Sequence, residues 1–346
     1  MAQQAKQSIE EILDGARAIL TTEAESYRTA LYRDILLNSL QASSDSLDVL
    51  DLKVINRAIA EFTYAARTFK PYRGIRKVSF FGSARTPQDD PYYDLAVRLG
   101  QTLAGRGLMV ITGAASGIMQ AGIAGAGAAN SFGANILLPF EPGPAAGFKG
   151  DPKLVTFKYF FTRKLFFVME ANGFALFPGG FGTHDESFEV LTLMQTGKAP
   201  PMPLVLMQLP GDDYWDKWDA FVREQLLDRG YISPEDRSFY RIVPSPEEAA
   251  DWLIFYYSTY HSLRMVRDRL VIRLERELSD VQLAELTERF QDLLVKGVIA
   301  KTPPLPQEAD EPDLLDKHRI VFHYSQKSAG RLNELVLAIN TMGAGR

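Results

Sequence analysis

Residues 77–112 read KVSFFGSARTPQDDPYYDLAVRLGQTLAGRGLMVIT, and this stretch decides the fold class. Its two ends, KVSFFG and LMVIT, are short and almost continuously apolar, as expected of strands that are buried on both faces. Between them, Asp90 can cap a helix, Pro91 suits its first turn, and Gly107 stands where that helix would end. The stretch therefore predicts a strand, a helix and a second strand of one parallel sheet.

The same alternation of apolar runs and helical stretches continues to about residue 260. Three more candidate strands follow the first two: ANILLPF (134–140), FALFP (174–178) and PLVLMQL (203–209). Because strands and helices alternate, we predict an α/β fold over residues 76–261, a Rossmann-like parallel sheet flanked by helices.

Two further regions flank this predicted domain. Residues 1–75 carry apolar side chains at helical spacing, which predicts a helical N-terminal extension. Residues 262–346 are predicted to form a small α+β C-terminal region. We expect two charged helices there, over 262–280 and 279–297, followed by the strand HRIVFHYS and a final helix.

The composition narrows the class of protein. The 346 residues are 46% hydrophobic and 23% charged, which is ordinary for a globular chain, and they include no cysteine for disulfides, thiolate metal sites or a nucleophile. The net charge of −5 argues against general nucleic-acid binding, although one basic pocket can still hold a small anion. The polar N-terminus and the lack of a long apolar run predict a cytoplasmic protein without a membrane partner.

Glycine-containing turns follow three of the predicted strands. They are FFGSART (80–86), ITGAASGIM (111–119) and FPGGFGT (177–183). The carboxyl ends of parallel strands share one sheet edge, where ligands of open α/β sheets bind. Glycine lets backbone N–H groups approach a ligand, and a helix N-terminus suits a phosphate. We therefore predict a nucleotide or phosphate ligand, although the chain has neither the dinucleotide fingerprint nor a Walker A loop.

The sequence after the third turn has two interpretations. THDE (183–186) is a capping box, in which Thr183 would cap a helix and Glu186 would bond back to the Thr183 N–H. Alternatively, Asp185 and Glu186 face a ligand that the turn binds. A simple cap does not require three glycines in front of it, and those glycines favour the second interpretation.

Arg163 and Lys164 are unusual for the start of a helix. In FTRKLFF they follow Thr162, a candidate cap, and cations at a helix N-terminus oppose the dipole by about 0.3–1 kcal/mol. An anion bound there would relieve this mismatch. The alternative is that the helix begins earlier and that the pair faces solvent.

The segment RKLFFVMEANGFALFPGGFGTHDESFEVLTLMQTGK (163–198) closely resembles the LONELY GUY (LOG) family. The family hallmark is an arginine-lysine pair at a helix start, followed by P-G-G-x-G-T-x-x-E. FFGSA and TGAASGIMQAGIAGA resemble the first two family loops, so the resemblance covers roughly residues 76–210. Such proteins have carried the label lysine decarboxylase, but no pyridoxal-binding pattern is present in this sequence.

The resemblance implies a phosphoribohydrolase that assembles at least as a dimer. Its reaction splits the N-glycosidic bond of a nucleoside 5′-monophosphate into free base and ribose 5-phosphate, without a metal or an organic cofactor. The substrate is AMP, a related monophosphate or, in cytokinin-activating members, an N6-modified AMP. By position, Arg163 and Glu186 correspond to the catalytic pair. The resemblance also implies nucleotide, ribose and phosphate contacts from Ser83, Gly113, Met119, Lys164, Gly179, Gly180, Gly182 and Thr183.

The chain departs from the family pattern at two places. Gly113 is followed by Ala114 and Ala115 where the family usually has three glycines, so methyl groups reshape that wall of the pocket. His184 replaces an apolar residue, and we expect it to be a surface side chain.

Two other functions remain open from the sequence. One is a non-catalytic nucleotide sensor that signals through its extensions. The presence of both Arg163 and Glu186 argues against this function, because a protein that only binds nucleotides does not need the pair. The other is an assembly module that acts through the C-terminal strand and helix.

Overall fold

A computed structural model of the chain gives the fold. It describes residues 9–21, 27–44, 47–136 and 148–344. Two compact units emerge from the contacts, Met1–Phe62 and Thr63–Arg346. The last four residues of the predicted strand 134–140 lie outside the described ranges.

The N-terminal residues are helical, as predicted. The helices are α1 (Ile9–Thr21), α2 (Tyr27–Ser44) and α3 (Val49–Phe69). In α3, Asp51 lies in the first turn and Arg67 in the last, so both charges complement the helix dipole. The domain limits predicted at 75/76 and 261/262 stay predictions.

The second unit contains the predicted parallel sheet. Its strands are β1 (Lys77–Phe81), β2 (Met109–Thr112), β3 (Ser131–Ile136), β4 (Leu154–Phe157), β5 (Gly173–Leu176), β6 (Leu204–Met207) and β7 (Tyr240–Val243). They pair in the order β4-β3-β2-β1-β5-β6-β7, and every pair is parallel. The order reverses its direction between β1 and β5, which is where an open α/β sheet forms a crevice for ligands.

Helices cover both faces of this sheet. They are α4 (Pro91–Gly105), α5 (Ile118–Ala126), α6 (Phe160–Met169), α7 (Phe181–Gln195), α8 (Tyr214–Phe221) and α9 (Pro246–Phe255). The helix α4 starts as predicted, because the Asp90 carboxylate accepts a hydrogen bond of 2.8 Å from the Tyr92 N–H. One core lies between the sheet and α6 and α7, and another lies between the sheet and α4, α5 and α9. The predicted α/β class is confirmed.

The C-terminal prediction needs two corrections. Residues 262–280 do not form a charged helix, because β8 (Tyr260–Val266) and β9 (Arg269–Leu274) pair as an antiparallel hairpin. The predicted helix over 279–297 is shorter: α10 (Asp280–Arg289) is followed by the strand β10 (Leu294–Lys301). The strand β11 (His318–Tyr324) and the helix α11 (Ala329–Gly343) lie where they were predicted.

The physical reason for the first correction is ion pairing with a later segment. Arg273 is 2% exposed and its guanidinium lies 2.8 Å from the buried Glu308 carboxylate. An arginine with such a partner can occupy a buried strand position, whereas an unpaired one would be expelled to solvent. The four strands form the sheet β10-β11-β9-β8, so the C-terminal region is α+β as predicted.

Within the described ranges, every helix is too short or too polar to cross a membrane.

Candidate active site

A cavity of ≈ 810 Å³ lies at the carboxyl edge of the parallel sheet. The three glycine turns predicted to gather at this edge all contribute to its wall, together with α6 and α7. The structure therefore brings together Ser83, Gly113, Met119, Arg163, Gly179, Gly180, Gly182, Thr183 and Glu186. Lys164 is the predicted site residue that does not line the cavity.

Ser83 joins the three turns to one another. Its N–H donates to the Pro178 carbonyl at 3.2 Å, and its carbonyl accepts from the Ile118 N–H at 3.1 Å. A side chain at Gly179 would collide with Thr183, and its Cβ would lie 3.0 Å from the Ser83 nitrogen. The close approach of these turns therefore requires glycine at residue 179.

Glu186 does not form the capping box. The helix α7 begins at Phe181 with Gly180 as its N-cap, so Thr183 lies inside the first turn and caps nothing. Instead, the Glu186 Oε1 atom accepts a hydrogen bond of 3.0 Å from Arg163 Nη2. The structure thus places the carboxylate at the cavity, hydrogen-bonded to Arg163.

Arg163 and Lys164 are neither at the helix N-terminus nor on its solvent face. The helix α6 begins earlier than the sequence indicated, at Phe160, and the two side chains are 12% and 15% exposed. The Arg163 guanidinium also lies 5.1 Å from the ring centre of Phe160 and 5.5 Å from that of Phe167. These cation–π contacts and the bond to Glu186 orient its planar group.

Lys164 is bound to two acids of α7. Its Nζ lies 2.7 Å from Asp185 and 3.0 Å from Glu189. Burial alone would lower the pKa of Lys164, but the hydrogen bonds to these carboxylates outweigh burial and raise it. The side chain therefore stays charged and links α6 to α7, and its predicted contact with a phosphate stays a prediction.

The surroundings of the Glu186 carboxyl raise its pKa. Burial raises its pKa from the ordinary 4.5 to about 7, and the attraction of Arg163 offsets only part of that rise. At neutral pH, protonated and ionised forms are therefore both populated. A carboxyl with a pKa near the operating pH is suited to accept a proton in catalysis.

His184 and Tyr214 support the third glycine turn. The Tyr214 hydroxyl donates to the Gly179 carbonyl at 2.6 Å and accepts from the Gly179 N–H at 3.3 Å. His184 Nε2 lies 2.8 Å from the same hydroxyl, whose single proton is already donated, so we assign the ring hydrogen to Nε2. His184 is half-buried and lines the cavity, so the surface position expected for it was wrong.

The sequence did not identify Tyr214, because nothing local marks a tyrosine that contacts a loop from another helix. The sequence analysis also did not identify Arg85 as a site residue, although this exposed cation belongs to the first glycine turn and lines the cavity. Ala114 has a φ of 55°, in the left-handed region that favours glycine.

Five phenylalanine residues contribute to the cavity wall. The contributing rings are Phe80, Phe81, Phe160, Phe167 and Phe181. Phe181 is 96% exposed, although it lies in the glycine turn. Phenylalanine rings, glycine backbone and a carboxylate in one cavity suit a planar ring attached to an anionic group. Among the residues that the structure describes, no cluster of three acids or histidines is arranged to hold a metal.

Comparison with known proteins gives a consistent family. A family model described as "Possible lysine decarboxylase" matches residues 106–253. The probable cytokinin riboside 5′-monophosphate phosphoribohydrolase LOGL5 of Oryza sativa subsp. japonica is 30% identical over 183 residues, which are 51% of this chain and 70% of the relative. The cytokinin riboside 5′-monophosphate phosphoribohydrolase LOG2 of Arabidopsis thaliana is 26% identical over 184 residues, 51% of this chain and 81% of the relative.

Solved structures also resemble part of the chain. The molybdenum cofactor binding protein from Rippkaea orientalis has a TM-score of 0.36 and 21% identity, and the match covers 51% of this chain and 93% of that one.

Proposed function

The chain belongs to the LONELY GUY (LOG) family, and on this premise we propose that it hydrolyses the N-glycosidic bond of a nucleoside 5′-monophosphate. The substrate would be AMP or an N6-modified AMP, and the products free base and ribose 5-phosphate. The observation that supports this proposal best is the Arg163–Glu186 pair, which lines the same cavity as the glycine turn at the start of α7.

Substrate binding begins with the phosphate. Gly180 and Gly182 flank the start of α7, where backbone N–H groups lack helical partners and the helix dipole is positive. Because glycine has no side chain, a ligand can approach the backbone closely at these two residues. A phosphate bound here fixes the ribose, and this binding energy orients the C1′ carbon beside Glu186.

The chemical step needs a base and a stabilised cation. As the bond between C1′ and the base nitrogen breaks, positive charge develops on the ribose, and the Glu186 carboxylate stabilises it. A water molecule attacks C1′ and transfers one proton to Glu186, which later returns it toward the departing base. Arg163 holds the carboxylate in position through its bond of 3.0 Å.

The decarboxylase label of the matching family model fits the cavity poorly. Decarboxylation through pyridoxal phosphate requires a lysine that forms a Schiff base with the cofactor. Among the described residues that line the cavity, none is a lysine. We therefore favour glycosidic hydrolysis over decarboxylation.

Incubation with a panel of nucleoside 5′-monophosphates tests the proposal. We expect free base and ribose 5-phosphate in equal amounts, and no release from the corresponding nucleosides without phosphate. A protein that binds these nucleotides but releases no base would be the sensor, not the hydrolase. The dimer that the family implies is a separate proposal, tested by light scattering in solution.

The pH profile reports the ionisation of Glu186. Because the base must be unprotonated, kcat/KM is expected to rise with pH through about 7, the pKa to which burial raises this carboxyl. Initial rates at subsaturating AMP, measured between about pH 5 and about pH 9, give this profile. A profile that is flat across this range would exclude Glu186 as the proton acceptor.

Removing the Tyr214 hydroxyl is expected to loosen the third glycine turn (177–183), where we propose that the phosphate binds. Tyr214→Phe leaves the Gly179 peptide and His184 without their shared partner, which costs about 1–3 kcal/mol for buried groups. We expect KM for AMP to rise at least about fivefold, with a smaller change in kcat. An unchanged KM in steady-state kinetics would show that the hydroxyl does not position the turn.

A further inference from the structure

Asn135 is a buried polar residue of the cavity wall. It is the next-to-last residue of β3, it is 3% exposed, and it lines the cavity. No hydrogen bond joins its side-chain amide to another residue in the part of the chain that the structure describes, and the amide is not among the enclosed polar groups that lack a partner, so it is open to the cavity. Buried polar groups are normally hydrogen-bonded within the protein, so an amide that is open to a cavity and has no protein partner is available to a ligand bound there.

The strand places Asn135 on one particular side of the sheet. Phe132 and Ala134 pack in the core under α6 and α7, and side chains alternate, so Asn135 faces the other way together with Gly133. A Cβ on Gly133 would lie 2.9 Å from the Ala114 Cβ. Asn135 is two residues closer to the carboxyl edge, and it therefore stands beside the second glycine turn.

The strand order gives the distance between Asn135 and the third glycine turn. The strands β5, β1, β2 and β3 lie side by side, and the turn at 179–183 follows β5. Three spacings between strands amount to about 14 Å from β5 to β3. A nucleotide whose phosphate binds at β5 therefore extends its ribose and then its base across β1 and β2 toward Asn135.

We propose that the Asn135 amide recognises the edge of the nucleobase, an inference that rests on the proposed function. An asparagine amide presents a donor beside an acceptor, and it pairs with a base edge that carries the same two groups in complementary order. The 6-amino group of adenine and its neighbouring ring nitrogen form such an edge. Asn135 is thus the residue that selects a 6-aminopurine monophosphate.

The test compares AMP with purine riboside 5′-monophosphate, which lacks only the 6-amino group. The wild-type protein is expected to prefer AMP by at least about tenfold in kcat/KM, because the second nucleotide leaves the amide partly unpaired. Asn135→Leu, which has a similar size and no polar atom, is expected to turn over both nucleotides equally. Asn135→Ala repeats the comparison if leucine prevents folding.

Several results would overturn the assignment. One is a wild-type preference for AMP that survives in both variants, and another is equal use of the two nucleotides by the wild-type protein. A change in the ratio of AMP to 2′-deoxy-AMP, with the base preference intact, would assign the amide to the ribose instead.

Calorimetric binding of AMP and purine riboside 5′-monophosphate separates this inference from the proposed function. If the wild-type protein binds AMP more tightly than purine riboside 5′-monophosphate and Asn135→Leu binds both equally, the inference is supported even if the protein hydrolyses neither nucleotide. Hydrolysis without any effect of Asn135 would retain the function and remove the inference.

Discussion

Replacing Glu186 with glutamine is expected to lower kcat for base release by about 10²–10⁴-fold, the usual contribution of a positioned general base. Glutamine has nearly the same shape and still accepts a hydrogen bond from Arg163, but it cannot take a proton from water. The variant should fold normally, and AMP should still protect it against thermal unfolding. Rates of adenine release under saturating AMP measure the effect.

Glu189→Gln is the matched control. Glu189 also lies on α7 and also bonds a basic residue of α6, Lys164, but it does not line the cavity. If ion pairs between the two helices only support the fold, both variants should behave alike. We expect Glu189→Gln to retain activity within a few-fold, and equal losses in the two variants would contradict the catalytic role of Glu186.

The raised pKa of the Glu186 carboxyl also predicts a change in stability with pH. Folding raises the pKa of Glu186 from 4.5 to about 7, so the folded state binds its proton more tightly than the unfolded chain. That contribution is fully present below pH 4.5 and is lost as pH rises through about 7. Glutamine does not titrate. The free energy of unfolding of Glu186→Gln should therefore increase relative to that of the wild type as the pH is raised.

A methyl group at Gly125 is expected to have the largest effect on stability. Gly125 lies on α5 against α4, and a Cβ there would collide with the backbone carbonyl of Val97. Backbone cannot move aside as a side chain can, so we expect Gly125→Ala to lower the free energy of unfolding by about 2–4 kcal/mol. Urea denaturation followed by circular dichroism measures this change.

Gly105→Ala is its control on the neighbouring helix. Gly105 is the last residue of α4, and a Cβ there would meet no atom within 4 Å. Alanine favours helix more than glycine does, so this variant should gain up to about 1 kcal/mol. Similar destabilisation in both variants would mean that α4 and α5 do not pack closely through Gly125.

Local signals predicted most of the fold. The Asp90 cap, the proline after it and the apolar runs of β1 and β2 act within a few residues, and they formed as predicted. The glycine turns were predictable as a group, because parallel strands bring their carboxyl ends to one edge. The N-terminal helices and the final strand and helix followed from periodicity in the same way.

Predictions were wrong where a distant residue decided the structure. Arg273 suggested a solvated helix because its partner, Glu308, lies 35 residues away and only the fold brings them together. His184 was expected at the surface because its contact with Tyr214 joins two helices.

By itself, the sequence determined the α/β class, the family and nine of the residues that line the cavity, since each depends on short-range patterns or on a contiguous motif. The tertiary structure alone decided which charges pair, how far burial raises the pKa of Glu186, and that Asn135 lines the cavity. These properties depend on desolvation and on contacts between elements far apart in the chain, and a linear pattern encodes neither of them.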